Sequence, residues 1–181
     1  MRPHTIDRQL FTREQIQTRI HTLINEIAAN SDTKNLVMLG ILRGSFIFLA
    51  DLVRGFEQHK LHPRIDFITL SSYGAGTESS GTVKIMHDTD VDLKDADVVV
   101  VDDILDSGRT LAFARNLFLE RGARSVRTCV MLDKQTERAV EMEADYAGFP
   151  VDDVFVVGYG LDYDNYYREL PYIAEVVFEE E

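Results

Sequence analysis

The sequence predicts an α/β domain built on a mainly parallel, twisted sheet flanked by helices. Three observations carry that expectation. Residues 98–101 are four valines in a row, which fits a strand buried on both faces, where polar alternation would be costly. Strand-like apolar runs alternate with helical patterns over most of the length, as a parallel sheet requires. At 181 residues, with 45% hydrophobic and 28% charged, the chain suits one domain with a sizeable core and not a disordered segment.

Each element follows from its own residues. Thr12-Arg13-Glu14-Gln15 reads as a capping box, and Ile16, Ile20, Leu23, Ile24 and Ile27 recur at helical spacing behind it. Leu36 to Leu42 reads as a short buried strand, Phe46 to Phe56 as an apolar helix, and Arg64 to Ser72 as the next strand. Residues 73–82 are small, polar and glycine-rich; no packed element can be built from them, so they read as a mobile loop. Val83 to Met86 resumes as a strand before an acid-rich turn from His87 to Asp97. After the valine run come a helix from Leu111 to Arg121 and a strand from Ser125 to Leu132. Short strands around Tyr146 and at Val154 to Val157 precede a last one at Ile173 to Phe178. Neither a repeat nor a linker interrupts this order, so residues 1–181 are read as one domain.

Composition narrows the function classes. The charge balance is 19 − 31 = −12, and a uniformly acidic surface repels phosphate backbones, which disfavours general nucleic-acid binding. The one cysteine, Cys129, sits in an apolar run and reads as a core residue; alone it forms no internal disulfide. The start of the chain lacks a signal-like apolar stretch, and no apolar run approaches membrane-spanning length. A soluble, cytoplasmic protein with no membrane partner is the expectation.

The chemistry concentrates in residues 98–110. After the valines come Asp102 and Asp103, then Asp106, then Ser107-Gly108-Arg109-Thr110 opening the next helix. A buried strand, acids at its carboxyl end and a small-residue loop entering a helix make a phosphate site. Backbone N–H groups and the helix dipole hold the anion, and the acids remain for hydroxyls or metal. A calcium-binding loop is excluded: with Gly108 in the sixth place, Leu105 falls third and Ala114 twelfth, and neither side chain bears oxygen.

This stretch resembles the ribose-phosphate motif of type I phosphoribosyltransferases. Leu42-Arg43-Gly44-Ser45-Phe46, Ser71-Ser72-Tyr73-Gly74, Leu132-Asp133-Lys134, Phe155 to Tyr163 and Arg168-Glu169-Leu170-Pro171-Tyr172 extend the likeness. In that order, over roughly residues 36–178, they resemble the hypoxanthine-guanine phosphoribosyltransferase family, and several separated motifs in register are far more specific than one glycine loop. The resemblance implies the type I phosphoribosyltransferase fold, with a small hood formed by the terminal segments. It also implies transfer of a 5-phosphoribosyl group from phosphoribosyl pyrophosphate to N9 of an oxopurine, with Mg2+ as cofactor and a homodimeric or homotetrameric state.

Carried over by position, the family's roles are these. Asp102 and Asp103 would grip the ribose hydroxyls and, through them, magnesium; many relatives have Glu where this chain has Asp102. Asp106 would be the general acid/base at the purine N7, or the N-cap of the following helix, which Ser107 could equally fill. Ser107, Gly108, Arg109 and Thr110 would cradle the 5′-phosphate, with Arg109 at the family's variable position. Arg43 and Gly44, in a loop where relatives hold a cis peptide, and Arg168 would bind pyrophosphate. Lys134 would bond the purine 6-oxo group, Phe155 would stack on the base, and Val156 would read its edge through backbone groups. Asp162 would lie near a second magnesium and the purine 2-position. Ser72 and Tyr73 would open a lid over about residues 72–83, which excludes water from the reacting carbon. Two alternatives stay open: a preference for xanthine, and a regulatory relative that binds RNA or a protein.

Overall fold

A computed structural model describes residues 2–31, 34–72 and 83–179. The valine run lies in β5 (Asp97–Leu105), between two parallel neighbours, β2 (Leu36–Leu42) and β6 (Ser125–Lys134). β3 (Arg64–Ser72) runs parallel to β2, and β7 (Tyr146–Val151) runs parallel to β6. β4 (Val83–His87) closes one edge antiparallel to β3, which gives a six-stranded order β4-β3-β2-β5-β6-β7.

Both faces of this sheet are covered, and the burial of β5 shows it. Val99 and Val101 belong to a core shared with α1 (Arg13–Asn30) and α2 (Phe46–Gly55). Val98 and Val100 point the other way, into a core with Leu111, Ala114 and Phe118 of α3 (Arg109–Glu120). Alternate residues of an extended strand face opposite sides, so two apolar faces demand an unbroken apolar run. The expected capping box is present: the Gln15 N–H donates to Thr12 Oγ1 at 3.2 Å, and the Thr12 N–H to Gln15 Oε1 at 2.8 Å.

A second, three-stranded sheet forms the hood, in the order β1 (His4–Phe11), β9 (Ile173–Phe178), β8 (Val156–Val157). β1 is antiparallel to β9, so the two ends of the chain are joined there. No element was expected at residues 4–11, and most of β1 is exposed. Val154, expected in a strand, lies in a turn instead, its N–H donating to the Asp152 carbonyl at 2.8 Å. β6 runs two residues further than its apolar pattern, which carries Asp133 and Lys134 to the same end of the sheet as the acids of β5.

Candidate active site

The carboxyl end of β5 places two acids side by side with little water. Asp102 is 8% exposed. Its Oδ1 accepts the Asp103 N–H at 3.0 Å, and Asp103 Oδ1 accepts the Ile104 N–H at 2.8 Å. Burial, then the neighbouring Asp103 charge, pushes Asp102 well above the usual carboxylate range. Burial raises Asp103 as well, opposed by the Ile104 N–H and by the positive charge of Arg168. Such a pair carries full charge only where a cation or several donors join it.

The loop after β2 closes on this pair. The Leu42–Arg43 peptide is cis, as the resemblance implies. Gly44 lies so close to Asp103 that a Cβ there would stand 1.5 Å from the carboxylate Oδ2, so any other residue would have to displace that carboxylate. On its far side the Gly44 carbonyl abuts Gly160, whose Cβ would lie 2.1 Å away at a φ of +101°. The buried Ser45 hydroxyl donates to the Ile41 carbonyl at 2.7 Å and fixes the turn from below. The Arg43 side chain is exposed.

Past β5, Asp106 and Ser107 are exposed and Gly108 turns the chain at a φ of +80°. α3 starts at Arg109 with Gly108 as N-cap and no side-chain cap bond. The capping role considered for Asp106 or Ser107 is therefore not taken by either residue. A helix N-terminus left without a side-chain acceptor suits an incoming anion. Asp106 borders the cavity as an exposed side chain. A cavity of about 300 Å³ is lined by Leu42, Arg43, Gly44, Asp102, Asp103, Asp106, Ser107, Gly108 and Thr110, among others.

The remaining predicted residues lie outside that lining. Lys134 ends β6, and its ammonium pairs with Asp153 Oδ1 at 2.7 Å. Phe155 is 42% exposed, with Tyr163 and Phe178 edge-on at 5.5 and 5.3 Å. The Val176 N–H donates to the Phe155 carbonyl at 2.8 Å. Antiparallel ladders alternate bonded and non-bonded pairs, so the N–H and C=O of Val156 point away from β9, toward the sheet's open edge.

Asp162 and Arg168 hold each other. Asp162 Oδ1 meets Arg168 Nη2 at 2.7 Å, Arg168 Nη1 donates to the Gly160 carbonyl at 2.6 Å, and the Asn165 N–H donates to Asp162 Oδ2 at 2.7 Å. The guanidinium expected to clamp pyrophosphate is thus anchored by Asp162, next to the turn at Gly160 that touches Gly44. Ser72 ends β3 opposite Val83. Residues 73–82, which include Tyr73 and most of the expected lid, lie outside the described residues. Asp153 was missed by sequence reasoning, since one acid in so acidic a chain carries no signal.

No three His, Cys, Asp or Glu side chains converge as a metal cage among the described residues. Magnesium does not need one. It keeps waters and is commonly held by one or two carboxylates plus substrate oxygens. The Asp102–Asp103 pair, whose carboxyls burial raises despite the Ile104 N–H and the Arg168 charge at Asp103, fits that mode.

Comparison with known proteins extends these observations. The phosphoribosyl transferase domain model matches residues 8–164. The chain is similar to the hypoxanthine-guanine phosphoribosyltransferase of Aquifex aeolicus, 44% identical over 168 residues that cover 92% of this chain and 93% of that one. It is 42% identical to the enzyme of the same description from Dictyostelium discoideum, with the same coverage. Among solved structures, a hypoxanthine-guanine phosphoribosyltransferase from Bacillus anthracis with a HEPES molecule in its active site superposes with a TM-score of 0.89. That match has 41% identity and covers 96% of this chain and 100% of the other.

Proposed function

The chain belongs to the phosphoribosyl transferase domain family, among the hypoxanthine-guanine phosphoribosyltransferases, and from that footing we propose how its residues perform purine salvage. The reaction moves 5-phosphoribosyl from phosphoribosyl pyrophosphate to N9 of hypoxanthine or guanine and releases pyrophosphate, giving IMP or GMP. One observation carries the assignment of roles: the loop at Gly44, the buried acid pair and the uncapped start of α3 line a single cavity.

In this reading the 5′-phosphate sits on the backbone of Ser107 to Thr110, at the positive end of α3. Asp102 and Asp103 accept hydrogen bonds from the ribose hydroxyls. They would also hold magnesium with the substrate's oxygens, and Asp162 would serve a second ion. When bound, magnesium supplies positive charge against the leaving pyrophosphate. Arg43 and Gly44 offer the leaving group backbone N–H donors, and Arg168 adds its charge. N9 attacks carbon 1 of the ribose as the bond to pyrophosphate breaks, and Asp106 takes the N7 proton.

The base is positioned by three contacts. Phe155 offers a ring face, Val156 offers its backbone edge, and the Lys134 ammonium donates to the 6-oxo group. An ammonium has no acceptor for a 6-amino group, which sets oxopurines apart from adenine. Ser72 and Tyr73 would open the lid that excludes water. A homodimeric or homotetrameric state is carried over from the family resemblance, whereas a cytoplasmic setting with neither nucleic acid nor membrane as partner rests on the acidic charge and on apolar runs too short to span a membrane.

Purified protein with phosphoribosyl pyrophosphate, magnesium and hypoxanthine or guanine is expected to form nucleotide in an absorbance assay. Inactivity with hypoxanthine, guanine and xanthine alike would overturn the reading.

A further inference from the structure

We propose that the segment between Lys134 and Tyr146 is a strap coupling the base-selecting lysine to the phosphate loop, with Arg138 as the positioning residue that clasps it. The proposal rests on the roles given above to Lys134 and to Ser107–Thr110. β5 and β6 are parallel with Asp133 opposite Leu105, so Lys134 and Asp106 leave the sheet at the same end. The chain departs from Lys134 and comes back over the phosphate loop. The Val140 N–H donates to the Ser107 carbonyl at 3.2 Å. A Cβ on Gly108 would stand 2.8 Å from the Val140 carbonyl and 3.1 Å from the Met142 Cβ. Met142 is itself 6% exposed. The phosphate loop is therefore backed by this strap, whose Val140 and Met142 are not among the residues that line the cavity.

One side chain ties the two ends. Arg138 Nη2 pairs with Asp133 Oδ1, immediately before the lysine, and Nη1 donates to the carbonyl of Met142, which packs on Gly108. The two side chains of the ion pair are only 18% and 26% exposed, so water screens the contact less than at an open surface. Arg138 Nε is buried without a partner. The guanidinium keeps this place for its two Nη contacts, in spite of an unsatisfied donor. A planar fork reaches both acceptors at once; a lysine ammonium reaches one.

The consequence is that geometry at the purine and at the 5′-phosphate depends on a residue that touches neither. Steady-state kinetics on the full chain test it with Arg138→Ala, Arg138→Lys and Met142→Ala, and with Lys134→Ala and Thr110→Ala as controls for the two subsites. Arg138→Ala is expected to raise KM for both hypoxanthine and phosphoribosyl pyrophosphate by about tenfold, the scale of a small misplacement of binding groups. Arg138→Lys is expected to recover the hypoxanthine KM more than the other, since it keeps the pair with Asp133. Met142→Ala is expected to raise KM for phosphoribosyl pyrophosphate alone.

Both KM values within about twofold of the parent in Arg138→Ala would overturn the strap. So would equal effects of Met142→Ala on the two substrates, a result that also decides the matter if Arg138→Ala does not fold. If instead Lys134→Ala leaves the hypoxanthine KM unchanged, or Thr110→Ala leaves the phosphoribosyl pyrophosphate KM unchanged, the subsite roles fall first and the strap falls with them.

Discussion

Asp103 and Asp106 stand three positions apart, yet the acids of β5 and the acid of the following loop live in opposite surroundings. Asp102 and Asp103 are packed at the end of a strand covered on both faces, where burial raises both above the usual carboxylate range. Asp106 has left the strand and lies exposed at the mouth of the same cavity. Two carboxylates in one site take different tasks when their environments differ. In the proposed reading the pair on β5 accepts a cation and sugar hydroxyls. In the same reading the exposed acid meets a base that arrives from solvent and exchanges a proton with it. What separates them is the point at which the strand ends.

Replacing Asp106 has the largest expected effect and would break that division most directly. Asp106→Asn keeps the shape and removes the proton acceptor, so kcat should fall by about 10² to 10⁴. Binding of phosphoribosyl pyrophosphate, followed by calorimetry, should remain. Complete loss of binding would mean that Asp106 belongs with the buried pair. Asp103→Asn is the complementary change and should be smaller. It withdraws a charged acceptor from the sugar and its metal, so KM for phosphoribosyl pyrophosphate should rise about 10- to 100-fold, the worth of a hydrogen bond to a charged group. A fall in kcat with unchanged KM would place Asp103 in the proton chemistry instead.

The division also explains how far the sequence could be read. β5, with its valines alternating between two cores, must be an unbroken apolar run, and such a run is visible without coordinates. The phosphate loop is local too, since acids, glycine and helix start follow one another in the chain. β1 is the contrary case. It is mostly exposed, and it exists because β9, from the other end of the chain, offers it an edge. No periodicity within residues 4–11 encodes that partner. The Lys134–Asp153 pair and the Arg138 clasp are equally silent, because they arise from where β6 and β7 end. Asp106 was legible as a residue, but its exposure was not. Motif order says which groups meet a ligand, whereas burial depends on where the strand stops.

The smallest effect concerns the cost of keeping the acid pair buried. Asp102 has a folded-state pKa raised above its ordinary value of about 3.9. Between those two values the folded chain holds the proton more tightly than the unfolded chain. Stability therefore falls as pH rises through that interval and levels off above it. Asp102→Asn removes this contribution and keeps the side-chain oxygen that accepts the Asp103 N–H. In magnesium-free buffer at pH 8 the variant should melt higher by about 2–4 °C, which is about 1 kcal/mol for a domain of this size. The advantage should shrink as pH falls toward 4 and vanish below it, where the parent carboxyl is protonated in both states. Adding magnesium with phosphoribosyl pyrophosphate should reverse the order, since ligands that bind only the folded state stabilise the better binder more. A variant that melts lower than the parent at pH 8 without metal would show that Asp102 is compensated in the free protein, and the contrast with Asp106 would lose its electrostatic basis.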